Sequence, residues 1–448
     1  MKISKFTSTY SYNGETVLFN SESEGMLVLD PKLEDIYNQN ISHPDKLEKI
    51  YPAFFNVLKN YRFIVPDDID EGEELIRSWE QNDNASDHFG IIINPTLNCN
   101  LRCWYCYESH KGIQVMDEVT RKSIFRLIEE KTKEPKLKTL NISFFGGEPL
   151  LYFDENVLPV LRFAAEICKK NGIALYSNFT TNAVLLTNHV IETLNELPLY
   201  QKPTFQITLD GNREAHDKIR VGVNKKPTYN IILNHIRLAL QHGNMVYVRF
   251  NYTYDNILTF NDVLEDFIHE GLNTYPNMVS IKFEHVWQDM KNLSNSRPLM
   301  KKVQEAFEMV GFNVENDDCH YRHVCYADSP HYAVINYNGD VFKCTAREFL
   351  PKVREGFLRE DGHICWNEKF EKRMTVRYNN KACRQCFILP ICNGGCTQNK
   401  LEANNIETCY MGLTEENKRN YLKSRIEELI LKKQKWLFAN FGAHSAKA

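Results

Sequence analysis

The chain has 448 residues, 43% of them hydrophobic, and a formal net charge of −4 from 54 Lys and Arg against 58 Asp and Glu. That length calls for about two to four domains, and the near-neutral, slightly acidic balance gives no electrostatic reason to expect nucleic acid as a partner. The N-terminus lacks an apolar segment ahead of a small-residue cleavage site, and no apolar run approaches the ~18 residues of a membrane span, so a cytoplasmic protein without a membrane partner is expected.

In chain order, three short strands come first: Lys5–Tyr12, Thr16–Asn20 and Met26–Leu29. Asn13-Gly14 between the first two is a strong two-residue hairpin signal. Two helical stretches follow, Pro31–Gln39 and Pro44–Tyr61, the second with Leu47, Ile50, Tyr51, Phe54, Phe55 and Leu58 on one face. Together they read as a winged-helix-like module, either a packing platform or a peptide-docking element. The acidic stretch Pro66–Glu74 and the polar Gln81–Asp87 read as a linker around a short helix, which closes a first segment at 1–88.

From Phe89 strands and helices alternate. The expected strands are Ile91–Asn94, Leu140–Phe145, Ala174–Asn178, Thr204–Leu209, Val246–Tyr252 and Val279–Val286. Helices fill the gaps at Asp117–Lys133, Asn156–Lys170, Asn188–Leu194, Tyr229–His242, Thr259–Glu270 and Leu299–Met309. Six such units predict an α/β fold, a partial (β/α)6 TIM-like barrel over 89–310, whose chemistry belongs at the C-terminal ends of the strands.

The first of those strand ends runs into Cys99-Asn-Leu-Arg-Cys103-Trp-Tyr-Cys106. Three thiolates on one loop can hold three irons of a four-iron cubane and leave the fourth open to a small molecule. A zinc knuckle is the competing reading, but zinc sites favour a cysteine pair answered by a second pair nearby, and none follows before Cys319. Strand two ends in Gly146-Gly147-Glu148-Pro149, where glycines allow close backbone approach and Glu148 offers a carboxylate to an ammonium group. Strand three runs into Ser177–Asn182, suited to a ribose. Strand four ends in Thr208-Leu209-Asp210-Gly211 ahead of His216, Asp217 and Arg220, and strand five carries Arg249 and Asn251. Each feature alone reads equally well as a turn or a satisfied core residue; their shared position at successive strand ends points to one ligand mouth.

The Cys99, Cys103, Cys106 triad with Tyr105 before its last cysteine, the Gly146–Pro149 segment and the Thr208–Gly211 segment followed by Arg220 resemble the radical S-adenosylmethionine (radical SAM) enzymes over Phe89–Trp287. The resemblance implies a catalytic [4Fe–4S] cluster on the three cysteines, its open iron chelated by S-adenosylmethionine. It also implies contacts to that cofactor from Tyr105, Gly146, Gly147, Glu148, Pro149, Asn182, Thr208, Asp210, Arg220 and Asn251. Reduced flavodoxin or ferredoxin would donate the electron that releases a 5′-deoxyadenosyl radical to abstract hydrogen from a substrate. His216, Asp210 and Glu284 are candidate general bases.

After Met309 the rhythm stops and nine of the thirteen cysteines follow between Cys319 and Cys409. Tyr332–Lys343 reads as a hairpin around Asn338-Gly339 that delivers Cys344. Eight of these cysteines suffice for two four-iron clusters or for two zinc sites. Their spacing, Cys-x13-Gly-x4-Cys and then Cys-x2-Cys-x5-Cys-x3-Cys with a later Cys, resembles the SPASM extension of radical SAM enzymes. That resemblance implies a SPASM domain at 311–412 with two auxiliary [4Fe–4S] clusters, one on Cys319, Cys325, Cys344 and Cys396 and the other on Cys383, Cys386, Cys392 and Cys409. Cys168 and Cys365 read as ordinary buried thiols. The remaining 413–448 is expected as a helix over Thr414–Phe441 that packs across the domains.

SPASM members act mostly on peptides and proteins. The long N-terminal segment, and Thr345 where sulfatase maturases carry an Asp after the hairpin cysteine, favour a maturase of ribosomally made (RiPP) precursor peptides. The leader would dock on an RRE-like module at 1–88, and the product would be a thioether or carbon–carbon cross-link. An anaerobic formylglycine-forming sulfatase maturase is the alternative enzyme, and a zinc or electron-carrier protein the non-enzyme alternative.

Overall fold

A computed structural model describes residues 1–84, 87–110, 112–289, 293–315, 325–403, 407–409 and 411–441. Two compact units emerge, and neither is one continuous stretch. One comprises Met1–Asn84, Asp318–Asp328 and Arg373–Ala448; the other comprises Ala85–Asp317 and Ser329–Lys372. The expected 311–412 segment is therefore divided between them.

The first unit starts with β1 (Lys2–Ile3), β2 (Thr7–Tyr12), β3 (Glu15–Asn20) and β4 (Met26–Leu29). The β2–β3 turn places both Asn13 and Gly14 at positive φ, as the primed turn of a two-residue hairpin requires. Helices α1 (Pro31–Asn40), α2 (Lys46–Ile50) and α3 (Pro52–Asn60) follow. The expected continuous helix over Pro44–Tyr61 is broken because Pro52 pushes Tyr51 out of the helical region, to φ −148° and ψ 78°. Strand β5 (Ile64–Val65) pairs with β1, and helix α4 spans Glu71–Asn84.

The expected linker is thus mostly a 14-residue helix, and its acidic residues are partnered. Glu73 pairs with Arg384, and Asp83 accepts from Arg377 Nη1 at 2.6 Å and Tyr378 Oη at 2.5 Å. Acidity that read as solvation in the sequence ties the N-terminal module to the cysteine-rich C-terminal part of the same unit.

The second unit is built on an 11-stranded sheet. Its parallel core runs β6 (His88–Ile93), α5 (Glu118–Thr132), β7 (Thr139–Phe144), α6 (Leu158–Asn171), β8 (Ala174–Thr181), α7 (Asn188–Asn195) and β9 (Thr204–Leu209). It continues through α8 (Arg213–Ile219), α9 (Tyr229–Gln241), β10 (Val246–Tyr252), α10 (Phe260–His269), β11 (Val279–His285) and α11 (Leu293–Met309) to β12 (Asn313–Glu315). Strands β6 to β11 pair in sequence order, every neighbour parallel, as the alternation predicts.

Short β12 was hidden by its three-residue length, and it adds a seventh parallel strand. The hairpin expected around Asn338-Gly339 forms as β13 (Tyr332–Ile335) and β14 (Asp340–Phe342), but β13 pairs parallel with β6. It therefore extends the barrel sheet, which continues through β15 (Gly356–Leu358) and β16 (Ile364–Trp366). The core holds the alternate apolar residues of each strand, such as Ile91, Ile93, Ile142, Phe144, Phe205, Ile207, Val248, Phe250, Ile281 and Phe283.

Helix α12 (Glu368–Val376) leads back to the first unit, which ends with α13 (Lys381–Arg384), α14 (Leu389–Cys392), α15 (Thr397–Ala403) and α16 (Glu415–Phe441). Leu422 and Ile426 of α16 bury against Phe19 of β3 and against Ile388 and Ile391 beside the last cysteines. Tyr10 Oη donates to Glu427 at 2.6 Å. The two chain ends thus share one core. Replacing Ile426 by Ala removes buried volume there and should destabilise this unit by about 2–5 kcal/mol, measured as a shift in its denaturant midpoint with the slope unchanged.

Candidate functional site

Beyond β6 the main chain carries the cysteine loop across the C-terminal end of the sheet, where two neighbours grip it. On one side Gly147 N donates to Thr96 O (3.1 Å) and Glu148 N to Asn98 O (2.9 Å). Only glycine permits this approach: Gly146 has φ +102°, and a Cβ on Gly147 would lie 2.2 Å from Asn98 O. On the other side Arg102 N donates to Val221 O (2.8 Å) and Val223 N to Asn100 O (2.9 Å). This second clamp had no motif to reveal it, because main-chain pairing leaves little trace in residue type.

Burial pushes the thiols up, Cys99 to about 12 and Cys106 to about 11, with Cys103 raised as well. Cys103 is near enough to the other two for its charge to raise them further. Such thiols stay protonated at neutral pH unless a cationic centre displaces the protons. The surroundings fit an iron–sulfur cluster: Leu101 N donates to Cys99 Sγ at 3.4 Å, Asn182 Nδ2 at 3.6 Å, and His110 Nε2 lies 3.5 Å from Cys106 Sγ.

Tyr105 is the hub of a buried network reaching strands four and five. Its hydroxyl donates to Asp210 Oδ2 (2.8 Å) and accepts from Arg220 Nη1 (3.0 Å) and Asn251 Nδ2 (3.1 Å). Arg249 Nε in turn donates to Asn251 Oδ1 at 2.8 Å. Burial raises the Asp210 carboxyl while Arg220 and Tyr105 draw it back down. Arg220 Nε is buried without a partner, a donor suited to an anionic group such as a carboxylate. Gln288, which carried no sequence signal, donates from Nε2 to Tyr105 O at 2.5 Å.

Other expected residues take different roles. The fully buried Glu148 carboxylate accepts from Leu150 N (3.0 Å), Thr181 Oγ1 (2.7 Å) and Asn182 N (2.7 Å). Its two oxygens thus accept three protein hydrogen bonds of the roughly four a carboxylate can take. Pro149 opens the short turn that presents Leu150 to it. Asn182 Nδ2 donates to Asn100 Oδ1 at 2.7 Å, tying β8 to the cysteine loop. Thr208 is buried on β9 in register with Arg249.

Among the candidate bases, His216 is fully buried; its Nδ1 accepts from Asp210 N at 3.3 Å and its Nε2 lies 3.2 Å from Thr228 Oγ1. Burial depresses its pKa well below the usual range. Glu284 pairs with Lys282 at 2.8 Å.

In the other unit Cys383, Cys386, Cys392 and Cys409 line one cavity together with Ile388, Leu389 and Lys418. Asn380 Oδ1 caps α13 by accepting from Cys383 N at 2.9 Å, and Cys386 N donates to Cys383 O at 3.0 Å. Burial raises the Cys383, Cys386 and Cys392 thiols, the last to about 12, while the charges of Lys400 and Lys418 lower Cys383. Among the described residues no three Cys, His, Asp or Glu side chains close on a single-ion point.

Cys319 lies outside the described residues. Cys325 and Cys396 are exposed and belong to this unit, while Cys344 follows β14 in the barrel unit. Cys168 is buried in the barrel core, and Cys365 is half-buried on β16.

The grip on the cysteine loop makes a direct prediction. Gly147→Ala forces a methyl group into the Asn98 carbonyl and should displace the loop, leaving purified protein with roughly four fewer irons per chain, read by iron and sulfide analysis against the unchanged protein.

Residues 93–270 match the Radical SAM superfamily. A cysteine-type anaerobic sulfatase-maturating enzyme of Clostridium novyi is 22% identical over 69% of this chain and 88% of its own length. The structure of native anSMEcpe with bound AdoMet and the Cp18Cys peptide superposes with a TM-score of 0.58 at 16% identity, covering 78% of this chain and 99% of that one. Streptococcus suis SuiB bound to S-adenosylmethionine superposes with a TM-score of 0.51 at 16% identity, covering 92% and 100%. No described helix is long and apolar enough to cross a membrane. The matched segment spans the strands that grip the three-cysteine loop, so this enzyme carries a radical SAM domain over residues 93–270, of the kind that works with S-adenosylmethionine and a [4Fe–4S] cluster.

Proposed function

We propose that this enzyme is a maturase of ribosomally made precursor peptides, forming a thioether or carbon–carbon cross-link. The observation that carries the reading is an open strand edge in the unit that also holds the four-cysteine cavity. Strand β4 pairs only with β3 among the described strands. Asn20 N donates to Gly25 O at 3.0 Å. By antiparallel alternation, Met26 and Val28 are then non-hydrogen-bonded partners of β3, and their N–H and C=O groups point away from it. A leader peptide adding as a strand would meet those groups. Structural neighbours described with peptides bound, anSMEcpe with Cp18Cys and SuiB with precursor peptide SuiA, support a peptide substrate.

At the barrel mouth Cys99, Cys103 and Cys106 would hold three irons. When bound, the cluster and S-adenosylmethionine supply the 5′-deoxyadenosyl radical chemistry, with reduced flavodoxin or ferredoxin as the electron source. The protein's own residues do the positioning. Tyr105, Asp210, Arg220 and Asn251 form a rigid wall beside the loop, and Arg220 Nε is available to an anionic group. Asn182 fixes Asn100 and touches Cys99. The Gly146–Pro149 segment, with the Glu148 carboxylate held in place by its own donors, would receive the ammonium group.

Cys383, Cys386, Cys392 and Cys409 would hold an auxiliary cluster, with Lys400 and Lys418 offsetting the negative charge of its thiolates. Cys319, Cys325, Cys344 and Cys396 would supply the other. The similarity to sulfatase-maturating enzymes supports a second reading, formylglycine formation. In this chain the residue after Cys344 is Thr345, whose carbonyl accepts from Tyr107 Oη at 2.5 Å.

Replacing Cys99, Cys103 and Cys106 together by Ala should abolish 5′-deoxyadenosine formation and lower iron from about twelve to about eight per chain. Persistence of 5′-deoxyadenosine, or two zinc and no sulfide in the unchanged protein, would reject the assignment. Removal of residues 1–61 is a poor test of docking because it strips the partners of α16. Val28→Pro instead deletes one outward N–H without touching the β3–β4 ladder. It should weaken leader binding about tenfold or more by fluorescence anisotropy, with the circular dichroism spectrum retained; unchanged affinity would reject docking at this edge.

A further inference from the structure

Helix α15 starts directly after Cys396, and Lys400 stands one turn along it, its main-chain N–H donating to Cys396 O at 3.2 Å. The side chain does not run out to solvent: Lys400 is only 1% exposed. It reaches instead toward the cysteine cavity. A Cβ added to Gly394 would lie 2.9 Å from Lys400 Nζ and 3.9 Å from Cys383 Sγ, so the ammonium group and the sulfur come up to the same point. Asn393, Gly394 and Gly395 all take positive φ there, and the bare Cα of Gly394 leaves the space in which Lys400 approaches Cys383. Its charge draws the Cys383 and Cys392 thiols down against their burial. It acts in the same way on Asp328, a buried carboxyl whose main-chain N–H donates to Cys325 O at 2.8 Å. Lys418, which lines the cavity itself, is already answered by Glu415 at 2.6 Å. An ammonium group is costly to take out of water, and once there it is felt strongly because little solvent screens it. A cluster on thiolates becomes more negative when it takes up an electron, and its potential follows the charge around it.

We propose that Lys400 sets the reduction potential of the auxiliary cluster on Cys383, Cys386, Cys392 and Cys409, its ammonium group stabilising the form that has gained one electron. The inference rests on the auxiliary-cluster reading. Lys400 touches no substrate in this role and acts only through the cysteines. An electron that enters this unit is held more tightly at the Cys383 set because of it.

Full-length enzyme with Cys99, Cys103 and Cys106 replaced by Ala keeps only the auxiliary sites, at about eight irons per chain. It is poised anaerobically at a series of potentials with dithionite, and the reduced-cluster signal is read by electron paramagnetic resonance. Lys400→Met in that background should lower the midpoint by about 59 mV or more, tenfold in the one-electron equilibrium, with iron content retained. Lys400→Arg keeps the charge and should hold the midpoint near the parent value. An unmoved midpoint in Lys400→Met at full iron overturns the proposal, and so does a Lys400→Arg shift as large as that of Lys400→Met, which would trace the effect to packing. If Lys400→Met fails to hold iron, Asp328→Asn decides: loss of the neighbouring carboxyl should raise the midpoint, and an unchanged or lower value overturns the proposal. A parent that binds no iron and sulfide at these cysteines rejects the auxiliary-cluster reading and the proposal together, whereas full iron with an unmoved potential rejects the proposal alone.

Discussion

A buried carboxylate holds the mouth of the barrel together. Glu148 stands at the end of β7 and collects donors from its own turn and from the end of β8, while its main-chain N–H reaches the base of the cysteine loop. An unpaired charge in that position would be costly, but three donors distribute it. Because the donors come from two separate segments and the same residue's N–H holds the loop, Glu148 ties two strand ends and the loop together at once. The Tyr105 network then needs only to brace the far side. Preorganisation of this kind lets a site bind a small charged cofactor without rearranging to do so.

The first unit is assembled from the N-terminal and C-terminal parts of the chain. Phe19 and Tyr10 near one end and Leu422 and Ile426 near the other bury together, and α4 is fastened by Arg377 and Arg384. A strand edge shaped for a peptide and a cavity walled by four thiols therefore share one folded body. The buried Asp83–Arg377 pair, supported by Tyr378, is the kind of ionic contact that punishes loss of either partner more than it adds by itself.

Much of this was legible in the sequence. The parallel order of β6 to β11 follows from alternating apolar runs, and the strand-end residues Tyr105, Asp210, Arg220 and Asn251 do converge. What escaped was non-local. The β13–β6 pairing joins residues more than two hundred positions apart, and nothing in either strand's periodicity names its neighbour. Glu148 was legible as a carboxylate at a strand end, but its partners are a main-chain N–H, a hydroxyl and a second main-chain N–H, which no spacing announces. The acidic stretch before α4 looked like a linker because a charge and its counter-charge three hundred residues away cannot be matched by eye. Pro52, by contrast, was in plain view and its local effect was missed.

The sharing of one core between chain ends also orders events during synthesis. Residues near Phe19 leave the ribosome some four hundred residues before α16 exists, and at ~5–20 residues per second that interval is roughly 20–80 s. Throughout it the N-terminal sheet has an uncovered apolar face, while the barrel between the two ends can already close around its own core. The nascent module is thus exposed to chaperones and to sticky neighbours for longer than any other part, and it completes only once translation has passed Ile426.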